Sequence, residues 1–370
     1  MRIDRIELYY AVFPLIYPWR TAYGEDADIH SILVKSCSGG RCGWSETTPL
    51  YAPTYSPESA ISAYYTIQEY LAPQIIGQEF PRAVDLIDRL KHFKGNCFAK
   101  AGLEISWWML QAKIEEKPLH QLLGGKKRSV EAGAAQGIKE NLDVLMESIQ
   151  RNIDEGYKRI KLKFAPGWDL EMLRTVRSTF PNHVFHIDCN AGFTLDHLPM
   201  FKEVDKLGMA MIEQPLAYDD LVEHAKLQSQ IETPVCLDES IKSIRDMRLA
   251  IELKSCRYVN VKPGRVGGLQ AAMEIHNMAR DYGIPAWVGG MLESSLGAAI
   301  NVELATLDNF VYPNDIIPSS RYIKEDITEP SLEFPGKERV FLPSTVPGVV
   351  NLPKTDVLEK HTRYKMALSA

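Results

Sequence analysis

The sequence predicts an α/β protein, with an α+β domain first and then a closed barrel of parallel strands wrapped by helices. Three observations carry this reading. The chain has 370 residues, which is room for about two domains at roughly 150 residues each. Its first third places strand patterns ahead of helical ones, the order of an α+β domain. From about residue 126 a strand-turn-helix unit repeats at least seven times, which favours a closed barrel over an open sheet.

The elements follow in order. Ile3 to Tyr9 alternates with period two, as a half-buried strand does, and His30 to Lys35 precedes the hairpin signal Ser38-Gly39-Gly40 and the strand Cys42 to Ser45. Helical patterns cover Glu58 to Leu71 and Ala99 to Ile114. Two aromatic, proline-containing loops are expected at Pro18 to Gly24 and Leu50 to Pro57, and both suit a lid over an apolar substrate. This first domain is read as residues 1–125 and the barrel as 126–322. Within the barrel, Leu145, Met146, Ile149 and Ile153 form one helical stripe that Gly156 stops. Strands are expected at Val130 to Gln136, Arg159 to Phe164, Val184 to Asp188, Met209 to Glu213, Val235 to Asp238, Tyr258 to Lys262 and Ile284 to Val288. Each helical crossover returns the chain to the same sheet end, so these strands pair in parallel. The proline-rich segment 323–370 is expected to pack back on the first domain.

Composition excludes several classes. Apolar residues at 45% and charged residues at 24% are globular values. A net charge of −6 without a basic stripe opposes a nucleic-acid partner. No apolar run is long enough for a membrane span, and the charged N-terminus is unlike a secretory signal. Cys37, Cys42, Cys97, Cys189, Cys236 and Cys256 show no zinc spacing and read as reduced thiols of a cytoplasmic protein. A homo-oligomer acting on a small-molecule carboxylate is the expectation for partners.

The chemistry lies at the strand ends. Lys163, Asp188, Glu213, Asp238 and Lys262 close five consecutive strands, at separations of 25, 25, 25 and 24 residues. Side-chain alternation turns all five inward, because each of the last four follows an outward Ile187, Ile212, Leu237 or Val261. Catalytic groups of such barrels sit at these C-terminal strand ends. Three buried carboxylates need a compensating cation. Oxygen donors without Cys or His suit Mg²⁺ and not zinc. Lys163 and Lys262 flank the acids and can reach opposite faces of a bound substrate. Lys161 stands beside Lys163, and like charges at about 4 Å repel by on the order of 4 kcal/mol at a dielectric of about 20, which lowers a lysine toward a general base. The chemistry described is removal of a proton beside a carboxylate.

These residues resemble the enolase superfamily. The resemblance rests on Lys161-Leu162-Lys163, Asp188-Cys189-Asn190, Glu213-Gln214-Pro215, Asp238-Glu239-Ser240 and Asn260 to Gly268, and spans nearly the whole chain. Together they are similar to its muconate-lactonizing-like branch. Trp287 to Glu293 and Arg321-Tyr322 with Asp326 to Pro330 resemble o-succinylbenzoate synthases and N-succinylamino acid racemases. The resemblance implies a capping domain whose loops near residues 20 and 50 close over substrate, and a modified (β/α)8 TIM barrel of the (β/α)7β type. It implies Asp188, Glu213 and Asp238 as ligands of Mg²⁺, for which Mn²⁺ can substitute, and Lys163 and Lys262 as the acid/base pair. The implied activity is a dehydratase of menaquinone biosynthesis, with racemisation or another α-proton-abstracting isomerisation as the alternative. A non-catalytic binding protein on this scaffold would be free to lose a member of the acid-lysine set, and the chain keeps all five.

Other positions carry paired readings. Glu293 either meets a substrate oxygen or supports its loop. Asn190 and Glu239 read as positioners of the ligands, and Arg265 either balances a substrate carboxylate or forms a loop ion pair. Trp19, Tyr23 and Tyr55 are lid candidates. His186 reads as a buried barrel histidine, and Gly267-Gly268 as an anion-binding turn. Ala298 stands where family members carry an arginine, and Gln136 where a small hydroxyl residue is common.

Overall fold

The computed structural model describes residues 1–370. The chain opens with β1 (Arg5–Thr21), β2 (Gly24–Ser38) and β3 (Arg41–Thr47), an antiparallel set. β1 is buried on both faces rather than one. Ile6, Leu8, Tyr10 and Val12 join the core of the first domain, while Tyr9, Ala11, Phe13 and Leu15 join the larger core that runs into the barrel. The expected loop at 18–24 is instead the far end of this hairpin, where Trp19 pairs with Asp26 and Thr21 with Gly24 beyond a register shift. The segment 50–57 is a loop, as expected.

Helices α1 (Ala60–Thr66) and α2 (Ala72–Ile75), joined by a π-turn at Ile67–Leu71, precede α3 (Ala83–Leu90), α4 (Cys97–Ile114) and α5 (Leu119–Leu123). α4 lies across β3 so closely that a Cβ at Gly43 would sit 2.1 Å from the backbone nitrogen of Leu110, so glycine is required there.

The barrel follows. Its elements are β4 (Val130–Glu131), β5 (Ala134–Gln136), α6 (Leu142–Asp154), β6 (Arg159–Lys163), α7 (Leu170–Thr179), β7 (Val184–Asp188), α8 (Leu198–Val204), β8 (Ile212–Glu213) and α9 (Val222–Gln228). After these come β9 (Val235–Leu237), α10 (Ile244–Leu253), β10 (Tyr258–Val261), α11 (Pro263–Val266), α12 (Leu269–Asp281), β11 (Ala286–Val288) and α13 (Ser295–Ala305). The seven strands β5 to β11 pair in parallel in chain order. Residues 309–315 close the ring without regular strand geometry. Val311 N donates to Ala286 O and Asp315 N to Val288 O, both at 3.0 Å, while Asn314 N donates to Glu131 O at 2.9 Å on the other side. The architecture is a modified TIM barrel with an antiparallel capping domain.

Two expectations need correction. The tail does not return as a whole: β12 (Thr328–Glu329) pairs with β14 (Leu352–Pro353), and β13 (Val340–Phe341) pairs with β4 at the barrel. Its contacts with the first domain are made at three places: Ile323 bridges Leu15, Gly348 bridges Pro118, and α14 (Thr355–His361) leads into β15 (Thr362–Ser369), which pairs with β1. Nor are all six cysteines thiols, because Cys37 and Cys42 are joined by a disulfide. They face each other across the β2–β3 hairpin with Cα atoms 4.1 Å apart, a closeness created by register and not by a sequence motif. Cys97, Cys189, Cys236 and Cys256 are free. No helix is long and apolar enough to cross a membrane.

Candidate active site

Strand register sets the height of each charged tip. Lys163 is opposite Asp188 and Asp188 opposite Glu213, but Glu213 is opposite Cys236, and Cys236 opposite Tyr258. Asp238 therefore stands two residues beyond its neighbour's level, and Lys262 two beyond that. A closed eight-stranded barrel is sheared by about one residue per strand. The accumulated stagger over four steps matches that shear, so equal sequence spacing brings all five tips to one level at the barrel mouth.

There they form a buried network of alternating charge. Lys163 Nζ donates to Asp188 Oδ2 at 2.7 Å and Asn190 Oδ1 at 2.5 Å. Lys262 Nζ donates to Asp238 Oδ2 at 2.9 Å and lies 4.4 Å above the Tyr55 ring. Asp238 Oδ1 accepts from Tyr55 Oη at 2.7 Å and from Arg265 Nη1. Glu213 accepts from Asn260 Nδ2 at 2.7 Å and faces His186 Nε2 at 3.3 Å. His186 is fully buried, with its other nitrogen 3.1 Å from Tyr312 Oη, as a barrel histidine should be. Lys161 touches Asp188 at 3.2 Å, Glu213 at 3.4 Å and, more closely, Asp315.

Environment separates the lysines. Burial lowers the pKa of Lys163, with the neighbouring Lys161 charge a lesser contribution, so desolvation and not like-charge repulsion leads. Burial also opposes the charge on Lys262, but Tyr55, Glu239 and Glu213 outweigh it and raise that pKa. Lys161 is held protonated in the same way by Asp315, Glu213 and Asp188 against its own burial.

No group of three or more His, Cys, Asp or Glu side chains is placed to hold an ion, because each carboxylate is turned to a cation of the chain. The donor set nonetheless fits a hard divalent cation. Asp188, Glu213 and Asp238 offer only oxygen from adjacent strands and are each no more than 1% exposed. Beside them Glu239 Oε2 is a buried oxygen without a partner, and burial followed by the Asp188 charge raises the Glu239 pKa to about 7.

A cavity opens over this network. Lys161, Lys163, Asn190 and Lys262 form part of its floor, while Trp19 and Tyr23 on the β1–β2 hairpin and Leu50 on the neighbouring loop face it from the cap. Tyr55 does not act as a lid; it lies beneath, packed on Phe98, with its hydroxyl on Asp238. Arg265 is likewise beneath the cavity and not open to a substrate carboxylate, since it is 3% exposed and committed to Asp238, Tyr55 and Ile241 O. Asn190 holds Lys163 directly and donates to Glu239 Oε1 at 3.3 Å. Glu293 supports its loop through Met291 N at 2.9 Å and Asn301 Nδ2 at 3.2 Å while lining the cavity. Ala298 also lines it. The Gly267-Gly268 turn does bind an anion, but an internal one: Leu269 N and Gln270 N donate to Glu104 at 2.8 and 2.9 Å.

Sequence reasoning missed Asp315, Arg159 and Asp26. Asp315 sits at the tip of the eighth wall, 2.7 Å from Arg159 Nη1, and lines the cavity with Asp26. Two more steps of the strand-tip period beyond Lys262 lead close to Asp315, and that was the available signal.

With this geometry established, the likeness to known proteins is specific. Residues 6–124 match the N-terminal domain of the mandelate racemase/muconate lactonizing enzyme family, and residues 144–349 match the enolase C-terminal domain-like family. The chain is 41% identical over 333 residues to the N-succinylamino acid racemase of Thermus thermophilus, covering 90% of each chain. It is 40% identical over 335 residues to the o-succinylbenzoate synthase of Geobacillus kaustophilus, covering 90% of this chain and 89% of that one. A solved structure of an enolase superfamily member from Listeria innocua superposes with a TM-score of 0.95 at 33% identity, covering 100% of this chain and 99% of that one. By sequence, architecture and the arrangement of its barrel mouth, the chain belongs to the enolase superfamily.

Proposed function

We propose that the chain is a Mg²⁺-dependent o-succinylbenzoate synthase, dehydrating 2-succinyl-6-hydroxy-2,4-cyclohexadiene-1-carboxylate. The observation that carries the reading is the pair Lys163 and Lys262. Both amines line one cavity from strands on either side of the three acids, and their environments push their pKa values in opposite directions. Lys163, the more easily neutral, takes the proton from the carbon bearing the carboxylate. Lys262 stays an ammonium and stabilises the negative charge that the electron pair carries into that carboxylate. The C–OH bond then breaks, Lys163 returns its proton to the departing hydroxide, and water and an aromatic ring result. Asp188, Glu213 and Asp238 would hold the Mg²⁺, which supplies positive charge beside the substrate carboxylate.

A second reading, N-succinylamino acid racemase, is favoured by the same two amines, since one proton exchanged from each face inverts an α-carbon. Relatives bearing both names support both readings. Measuring kcat/KM for both substrates with one preparation decides between them. Lys163→Ala is expected to lower kcat for dehydration by about 10³-fold; undiminished turnover in that variant refutes the assigned base.

A further inference from the structure

The two amines at the barrel mouth are held unequally. Lys163 donates to two oxygens, Asp188 Oδ2 at 2.7 Å and Asn190 Oδ1 at 2.5 Å. Lys262 donates to one, Asp238 Oδ2 at 2.9 Å, and that carboxylate also serves Tyr55 and Arg265. An ammonium has three hydrogens to place. The Tyr55 ring takes one side of the Lys262 head at 4.4 Å, and the residue borders two spaces. One is the catalytic cavity. The other is a narrow pocket behind it, in the seam between cap and barrel.

The cap wall of this pocket is the end of β3, Glu46 to Thr48, and its barrel wall includes Lys262, Gly264 and Glu293. Thr47 and Thr48 are each 2% exposed, yet neither hydroxyl has a partner within the chain. A buried hydroxyl left unpaired is costly and rare in native interiors, so two on one pocket call for an occupant. Thr47 Oγ1 stands 3.3 Å from where a Cβ would project from Gly264, which directs it across the seam toward the segment that follows Lys262. The acids on the walls are already committed. Glu46 accepts from Ser31 Oγ, Ser294 N and Oγ, and Gly297 N, while Glu293 accepts from Met291 N and Asn301 Nδ2. The two carboxyl groups disfavour an anion in this pocket, and the Lys262 ammonium disfavours a cation. A neutral water fits both, and it can accept from Lys262 while donating to the two threonine oxygens, which is the usual number of bonds for a buried water.

We propose that Thr47 and Thr48 hold a water against Lys262 Nζ, and that this water is the second anchor of that amine, which makes the two threonines its positioning residues. The proposal rests on the reading of Lys163 and Lys262 as the paired amines and adds that the cap sets one of them. Both anchors of Lys163 are barrel residues. The water anchor of Lys262 belongs to β3, which runs directly into the loop whose Leu50 faces the catalytic cavity. Seating the cap over a substrate and fixing Lys262 are thus one event.

The test uses Thr47→Val and Thr48→Val, alone and together, which keep the side-chain shape and remove the hydroxyls. A crystal structure of the full-length protein is expected to show a water within about 3.2 Å of both hydroxyl oxygens and of Lys262 Nζ, and that of the double variant to lack it. The functional readout is α-proton exchange in D₂O from the two enantiomers of one N-succinyl amino acid, since each amine addresses one face. The enantiomer whose exchange survives in Lys163→Ala is the one Lys262 serves. The double variant is expected to slow exchange of that enantiomer about tenfold and of the other less than about twofold. Thr47→Ser with Thr48→Ser, which restores the hydroxyls, should recover the rate. Equal slowing of both enantiomers, no slowing, or a wild-type map without the water overturns the proposal. Failure of the wild-type protein to exchange either enantiomer would instead count against the paired amines, and the density between Lys262 and the threonines then decides the anchor.

Discussion

At Lys163 the amine is gripped by Asp188 and Asn190, yet burial lowers its pKa below that of an ordinary lysine. Lys161, two residues earlier on the same face, is surrounded by three acids and cannot serve as a base at neutral pH. This asymmetry sets the pH profile. The working base must be neutral, so kcat/KM rises with pH as Lys163 loses its proton and levels off below the 10.5 of an ordinary lysine. The alkaline fall, when Lys262 loses the charge it must keep, lies above that value. Kinetics across the pH range should show this pair of limbs, and a low-pH limb that persists in Lys163→Ala would assign it to another group.

Among the elements, α12 depends on a single carboxylate from the capping domain. Glu104 on α4 accepts the first amide hydrogens of α12 and Trp108 Nε1 at 2.8 Å. It stands where a Cβ at Gly268 would lie 2.2 Å from its Oε2, at a φ of +130°. Glu104→Ala would leave buried donors unpaired, and a stability loss of about 3 kcal/mol is expected. Glu104→Gln keeps one acceptor and should lose about 1 kcal/mol; equal urea midpoints for the two variants would show that the cap does not hold α12. The strand tips were legible in the sequence because apolar runs and a constant period coincide from Lys163 to Lys262. Asp315 was not, since its segment is interrupted by Pro313 and closes the barrel through isolated bridges. The link from Tyr55 to Asp238 joins residues 183 apart, and no local pattern encodes it.

For the whole molecule, the cap works as a lever whose two ends are fixed differently. One end is the β1–β2 hairpin tip, which sets Trp19 and Tyr23 over the catalytic cavity. The other end is clamped by the last residues of the chain: β15 pairs with β1 from Arg5 to Ala11, and Leu358 of α14 is fully buried in the larger core. The first strands of this domain and the Ser38-Gly39-Gly40 hairpin were readable in the sequence, but the clamp was not, because β15 leaves much of itself exposed. A chain ending at Pro353 would lose the buried Leu358 and expose an unpaired edge of β1. Its urea midpoint should fall by the equivalent of about 3 kcal/mol, with increased light scattering from edge pairing. The barrel mouth keeps its own charges in that variant, so the lid alone is loosened and KM should rise by a larger factor than kcat falls. If the truncated chain melts with the full-length protein and keeps its KM, the hairpin is held by its own sheet and by α4, and the returning tail plays no part in seating the lid.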